Sequence, residues 1–192
     1  MRRIMLIFVP AFLCSSCATY NSSSVCDVND VTGLPILRPA AYQKNINTSQ
    51  HVIINSKNGK FEFISQLEID STRLVMVAMS ILGQKLFQVG YQQGKINFES
   101  WGVPLDFDAG YLLTDISLIF GPSDKLETCL RQINTGLYFK ADKETMARQI
   151  AGPDYSGTVS YSAHKPWTGI IHYENTTLNY NINIKILESS AL

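Results

Sequence analysis

From His51 onward, apolar and polar positions alternate with period two. Phe61, Phe63, Leu67 and Ile69 share one parity, and Glu62, Gln66 and Glu68 the other, the pattern of a strand buried on one face. Leu74 to Met79 is apolar on both parities, as expected for a strand covered on both sides. Lys85 to Tyr91 follows a Leu82-Gly83 turn, and Ile96 to Glu99 follows a Gln93-Gly94 turn, so these segments read as consecutive antiparallel hairpins.

The period then changes. Asp108 is placed to cap a helix running to Phe120, with Leu112, Leu113, Ile116, Ile119 and Phe120 on one broad face; Tyr111 and Leu118 widen that face, so deep burial is expected. Gly121-Pro122 ends it, and Ser123 caps a second helix to about Ile133, with Leu126, Cys129, Leu130 and Ile133 as its inner stripe. Strands return at Leu137 to Lys140, Thr145 to Gln149, Gly157 to Ala163 and Gly169 to Glu174. The last begins at Leu178, where Tyr180, Ile182, Ile184 and Ile186 alternate with Asn179, Asn181, Asn183 and Lys185. The expectation is a mainly β (α+β) fold: about ten antiparallel strands, curled into an incomplete barrel, with two helices inserted over the concave side.

The front end differs. Met1-Arg2-Arg3 precedes an uncharged run from Ile4 to Leu13, too short to span a bilayer and shaped like a secretory signal. Ser15-Ser16-Cys17 then resembles a bacterial lipoprotein signal, with cleavage before Cys17 and acylation of that cysteine; Cys14 follows the bulky Leu13 and does not fit as the acceptor. Ala18 after the acceptor implies sorting to the outer membrane, facing the periplasm. Ala18 to Leu34 is rich in Ser, Asn, Asp and Thr and reads as a tether spanning about 22 Å on average. The resulting division is a signal at 1–16, an acylated cysteine and tether at 17–35, and a folded domain at 36–192.

Composition narrows the function. Acidic and basic residues balance at 16 each, so nothing points to nucleic acid. His51, His164 and His172 are far apart and form no metal-ligand spacing. Nucleophile-elbow, P-loop and dinucleotide glycine patterns are missing, so neither enzymatic activity nor a cofactor is expected. Asp106 and Asp108 precede the first helix, where capping is the commoner use of a carboxylate. Asp115 falls among leucines within that helix and requires a hydrogen-bonding partner, most simply on a neighbouring strand. Cys26 and Cys129 remain after processing. Either they bridge in an oxidising compartment, or Cys129 serves as a small hydrophobe on its helix stripe.

Together "RLVMVAMSILGQKLFQV", "YLLTDISLIFGPSDKLETCL" and "WTGIIHYENTTLNYNINIKIL" resemble uncharacterised bacterial lipoproteins, a domain of unknown function related to the LolA/LolB lipoprotein-sorting proteins. The resemblance runs from about His51 to Leu187. It implies a half-barrel with an apolar cavity for acyl chains, and a setting in gene clusters that make aryl polyene lipids. It also gives Leu82, within Ile81-Leu82-Gly83, the place of a leucine that LolB-like proteins project towards the membrane; Ile81 stands where they carry proline. On this reading the protein is an outer-membrane lipoprotein that binds or transfers an amphiphile, with Met76, Met79, Phe87, Phe98, Leu112 and Ile116 as cavity candidates. Its partners are then the membrane, a lipid or acyl-chain ligand and envelope transport proteins. The competing reading is a non-carrier scaffold that docks an envelope assembly or export machine and has a filled interior.

Overall fold

The computed structural model describes residues 24–30, 32–101, 108–133, 136–153 and 155–191. A short hairpin of β1 (Cys26–Val28) and β2 (Pro35–Leu37) comes first, followed by a 3-10 turn at Pro39–Tyr42. β3 (Ile46–Ser56), β4 (Gly59–Ile69), β5 (Arg73–Met79), β6 (Lys85–Gln92) and β7 (Lys95–Ser100) then form a meander. The helices α1 (Ala109–Phe120) and α2 (Ser123–Ile133) separate it from β8 (Tyr138–Asp142), β9 (Ala147–Ala151), β10 (Ser156–Tyr161), β11 (Ile170–Asn175) and β12 (Tyr180–Ala191).

The ten strands after the hairpin make one antiparallel sheet in the order β7-β6-β5-β4-β3-β12-β11-β10-β9-β8. β12 pairs along β3 and so joins the two five-strand sets. Among the described residues β7 and β8 do not pair with each other, so the sheet stays open. It nevertheless curls around α1. The helix meets β6 and β7 on one side, and on the other it is bonded to Arg148 of β9, Tyr161 of β10 and Tyr180 of β12. This is the expected incomplete antiparallel half-barrel with two helices.

Ten of the twelve residues of α1 are buried, from Gly110 to Phe120 with only Tyr111 excepted. A helix so placed needs partners inside the protein for its end groups. Asp108 accepts from the Gly110 amide at 2.7 Å at the start. At the other end Arg148 Nη1 donates to the Gly121 carbonyl at 2.7 Å, and the Tyr161 hydroxyl donates to the Ile119 carbonyl at 2.6 Å. The guanidinium also sets a positive charge against the negative end of the helix. Midway, Ser117 Oγ accepts from the Leu37 amide at 3.0 Å, which ties β2 to the helix.

Two readings change. Residues from Cys26 to Leu34, read from composition as tether, belong to the folded body. Cys26 and Leu34 are buried, β1 pairs with β2, and Asp27 of β1 bonds Arg38 at 2.7 Å and receives the Tyr91 hydroxyl of β6. Three-residue strands are too short to show a period. The long strand β3 was not distinguished either, because its inner face carries Thr48 and Gln50 among Ile46, Val52 and Ile54. Both side-chain oxygens find partners: Thr48 Oγ1 donates to the Glu188 carbonyl at 2.9 Å, and Ser65 Oγ donates to Gln50 Oε1 at 3.3 Å.

Cys26 and Cys129 form a disulfide that joins β1 to the buried stripe of α2 across 103 residues. Closing a loop of that size stabilises by about 4–5 kcal/mol in the chain-entropy account, with measured values of roughly 2–5 kcal/mol. The variant carrying C26A and C129A is expected to unfold at lower urea concentration, with an unfolding free energy smaller by about 2–5 kcal/mol. Reductant should shift the wild-type midpoint the same way and leave the variant unmoved.

Candidate functional site

Strand register places five connections at one end of the sheet: the β3–β4 hairpin, the β5–β6 turn, the end of β7, the β11–β12 turn and the β9–β10 loop. Tyr111, near the start of α1, lies at this front rim, and the helix runs from there to Arg148 at the opposite rim.

The β5–β6 turn holds Ile81, Leu82 and Gly83. The Ser80 amide donates to the Gln84 carbonyl at 2.8 Å, the Gly83 amide to the Ser80 carbonyl at 2.9 Å, and the Gln84 amide to Ser80 Oγ at 3.2 Å. Gly83 has φ +82°, the left-handed position that a three-residue hairpin loop needs after its first turn. The loop is thus fixed by hydrogen bonds although it carries Ile81 rather than proline. It leaves Ile81 71% and Leu82 89% exposed. Beside it, Trp101 is exposed after β7, with Lys85 Nζ 5.4 Å from its ring centroid.

The cavity candidates fall in three places. Met76, Phe87, Leu112 and Ile116 are core side chains packed between the sheet and α1. Phe98 lies on the edge strand β7 and is 38% exposed. Met79 shares its parity with Val75 and Val77 and opposes Ile64 on the outer face, away from α1; three residues from Met76, it must point to the other side of the strand. An aromatic row runs inward from the edge, with ring centroids 6.1 Å apart for Phe98–Phe87, 5.5 Å for Phe87–Phe63 and 5.3 Å for Phe63–Phe61. α1 packs into the interior that these residues share. Cys17 and Asp106 lie outside the described residues.

The front rim also carries a cleft of about 220 Å³. The β1–β2 loop contributes Thr32 and Leu34, α1 contributes Tyr111, and Tyr155 and Leu178 complete much of the wall. Behind Tyr155 is the one buried carboxylate of α1. Asp115 Oδ2 accepts from the Tyr180 hydroxyl at 2.6 Å. Tyr173 and Tyr155 have their hydroxyls 2.5 Å apart, and Asn175 Nδ2 donates to Tyr173 at 3.2 Å and to Tyr180 at 3.3 Å. Gly157 leaves room for this cluster, since a Cβ there would sit 3.1 Å from the Tyr173 ring. The sequence flags Asp115 and its need of a strand partner. The three tyrosines, each on a separate segment, give no signal until the strands are aligned.

Burial pushes the Asp115 carboxyl up to about 7, against the opposing pull of the neighbouring Tyr180 and Tyr173 hydroxyls. Among the described residues no group of three His, Cys, Asp or Glu is placed to hold a metal, and no helix is long and apolar enough to cross a membrane.

The profile of the family described as "Protein of unknown function (DUF3261)" matches residues 47–188. No curated protein matches the chain. Among solved structures, one described as an outer membrane lipoprotein-sorting protein domain from Vibrio parahaemolyticus is similar with a TM-score of 0.31 and 9% identity, over 77% of this chain and 85% of that one. A likeness of that size says nothing about function.

The raised Asp115 pKa has a definite sign. The folded state holds this proton to higher pH than the unfolded chain, so the stabilisation is complete below about pH 4 and is lost as pH rises through 7. The loss amounts to at most about 4 kcal/mol at 1.36 kcal/mol per unit. D115N keeps the shape and removes the charge. Its urea stability, relative to wild type, is expected to improve between pH 5 and pH 8.

Proposed function

Since this chain belongs to the family described as "Protein of unknown function (DUF3261)", a description that names no activity, we propose a function from its geometry. It is a lipid-anchored envelope protein that binds rather than catalyses, and it meets a bilayer or an amphiphile with its front rim. Cys17 is its acylated anchor and the outer membrane, on the periplasmic side, its location. The observation that carries this reading is the pair of exposed aliphatic side chains, Ile81 and Leu82, held outward on a hydrogen-bonded loop. Trp101 and Lys85 beside them supply the aromatic and cationic groups that suit the interface between headgroups and acyl chains.

The magnitudes are consistent with reversible contact. Burying one aliphatic side chain stabilises by about 1.5–3 kcal/mol, so two give roughly 3–6 kcal/mol before ordering costs. That is millimolar by itself, but an anchored domain faces its membrane at an effective concentration in the millimolar range. An acyl or polyenyl chain would lie along the exposed end of the aromatic row, from Phe98 inward. Lipoprotein acyl chains offered by an envelope transport partner present the same chemistry.

A second reading has its own observation. α1 fills the half-barrel, as the scaffold hypothesis requires. Under it the rim docks a protein of an envelope assembly or export machine and carries no lipid.

Native mass spectrometry of the full-length protein extracted from membranes separates the two. A bound amphiphile mass supports the carrier; bare protein together with a stable crosslinked partner supports the scaffold. L82D is expected to weaken association with phospholipid vesicles about tenfold, corresponding to 1.4 kcal/mol, in a flotation assay. Unchanged flotation would exclude the turn as a membrane contact.

A further inference from the structure

We propose that the front-rim cleft is a binding site for a small organic ammonium group, with the Tyr155 hydroxyl as its acceptor and the Asp115 carboxylate as its counter-charge. The inference stands whether or not a chain is held at the rim.

It begins with a charge that lacks a counter-ion. Asp115 is 5% exposed, and among the described residues no lysine, arginine or histidine pairs with it. The titratable groups that face it are all phenols: Tyr111 on its own helix, Tyr155 from the segment before β10, Tyr173 from β11 and Tyr180 from β12. Burial keeps Tyr155, Tyr173 and Tyr180 protonated, and the Asp115 charge pushes each further up. Phenols can supply hydrogen bonds to an ionised carboxylate but not the opposite charge. Such a carboxylate in a low-dielectric interior attracts a cation to a nearby point open to solvent.

That point is the cleft. Tyr111 and Asp115 are four residues apart on α1, so they lie one turn from each other on the same helix face. Tyr111 lines the cleft and Asp115 sits a turn deeper. Tyr155 links them, with its side chain in the cleft wall and its hydroxyl on Tyr173.

Lone-pair counting then sets what the cleft offers. Asn175 Nδ2 donates to Tyr173, and Tyr173 and Tyr155 share the one hydrogen bond of the 2.5 Å pair, in which either hydroxyl can donate. In both arrangements Tyr155 keeps a lone pair as an acceptor for an N–H. Tyr111 adds a π surface that attracts cations, and Thr32 and Thr177 add hydroxyl oxygens. Leu34, Leu137 and Leu178 suit a short carbon stem. The lining carries no charge of its own, and the volume, about seven waters at roughly 30 Å³ each, admits a group of ethanolamine size. When Asp115 is protonated the counter-charge disappears.

The group could reach the cleft on a phospholipid headgroup or as a free amine. The test is titration of the full-length protein in detergent with ethanolamine, and with ethylene glycol as the neutral isostere, by calorimetry at pH 6 and pH 8. Ethanolamine is expected to bind at least tenfold more tightly than ethylene glycol, and severalfold more tightly at pH 8 than at pH 6, because Asp115 ionises between them. D115N should abolish both the pH dependence and the preference for the charged probe. Y155F should weaken ethanolamine about tenfold and keep the pH trend. Equal binding of the two probes to wild type overturns the proposal whatever the variants do, and so does D115N binding ethanolamine as wild type does. Dihexanoyl phosphatidylethanolamine then fixes the source. Binding at least tenfold tighter than ethanolamine, and tighter than dihexanoyl phosphatidylglycerol, assigns a lipid headgroup; binding equal to ethanolamine assigns a free amine.

Discussion

A helix buried on nearly every side needs partners inside the protein for the polar groups at its ends and along its length, and the architecture follows from how α1 finds them. Its twelve residues run through the open sheet from rim to rim, about 18 Å at 1.5 Å per residue. The sheet supplies Arg148 and Tyr161 to its carbonyl end and Tyr180 to its one carboxylate, while β2 supplies a backbone amide to Ser117. These bonds come from β9, β10 and β12 of the large sheet and from the separate β1–β2 hairpin. They therefore hold the curl of the sheet as much as they hold the helix, which acts as the post around which an otherwise open sheet closes.

The same requirement explains why the amino-terminal hairpin belongs to the fold. β1 and β2 pair through only three residues each, too few to persist in water without support. β2 is buried against α1, Asp27 reaches Arg38 and Tyr91, and the disulfide ties Cys26 to α2. Glycine at 110 is part of this fit, since a Cβ there would fall 1.5 Å from Asn29 Nδ2 beside the hairpin. Helix, hairpin and α2 form one inner body, and the ten strands wrap it.

Much of this was legible in the order of residues. Alternation, an apolar run and turn residues together marked nine of the ten sheet strands, and Asp108 and Gly121-Pro122 bracketed α1, because those signals are local. What escaped was non-local or polar. β3 hides its period behind Thr48 and Gln50, whose partners lie on strands far along the chain. Met79 was grouped with Met76 on residue type, although strand parity puts them on opposite faces. For the front rim, the turn residues Ile81 to Gly83 and the carboxylate Asp115 stood out singly. The cleft beside Tyr155 exists only once the β1–β2 loop, the start of α1 and the β11–β12 turn converge, and no stretch of sequence contains that convergence.

The position of the disulfide bears on how the molecule carries load. A pull on the segment before residue 26 enters the fold at Cys26, and there the covalent bond hands it directly to α2. The three-residue pairing of β1 with β2, which would otherwise peel open first, is bypassed. Tension is shared instead with the packed centre of the domain, so a pull on the amino-terminal end does not unravel the fold strand by strand from that end.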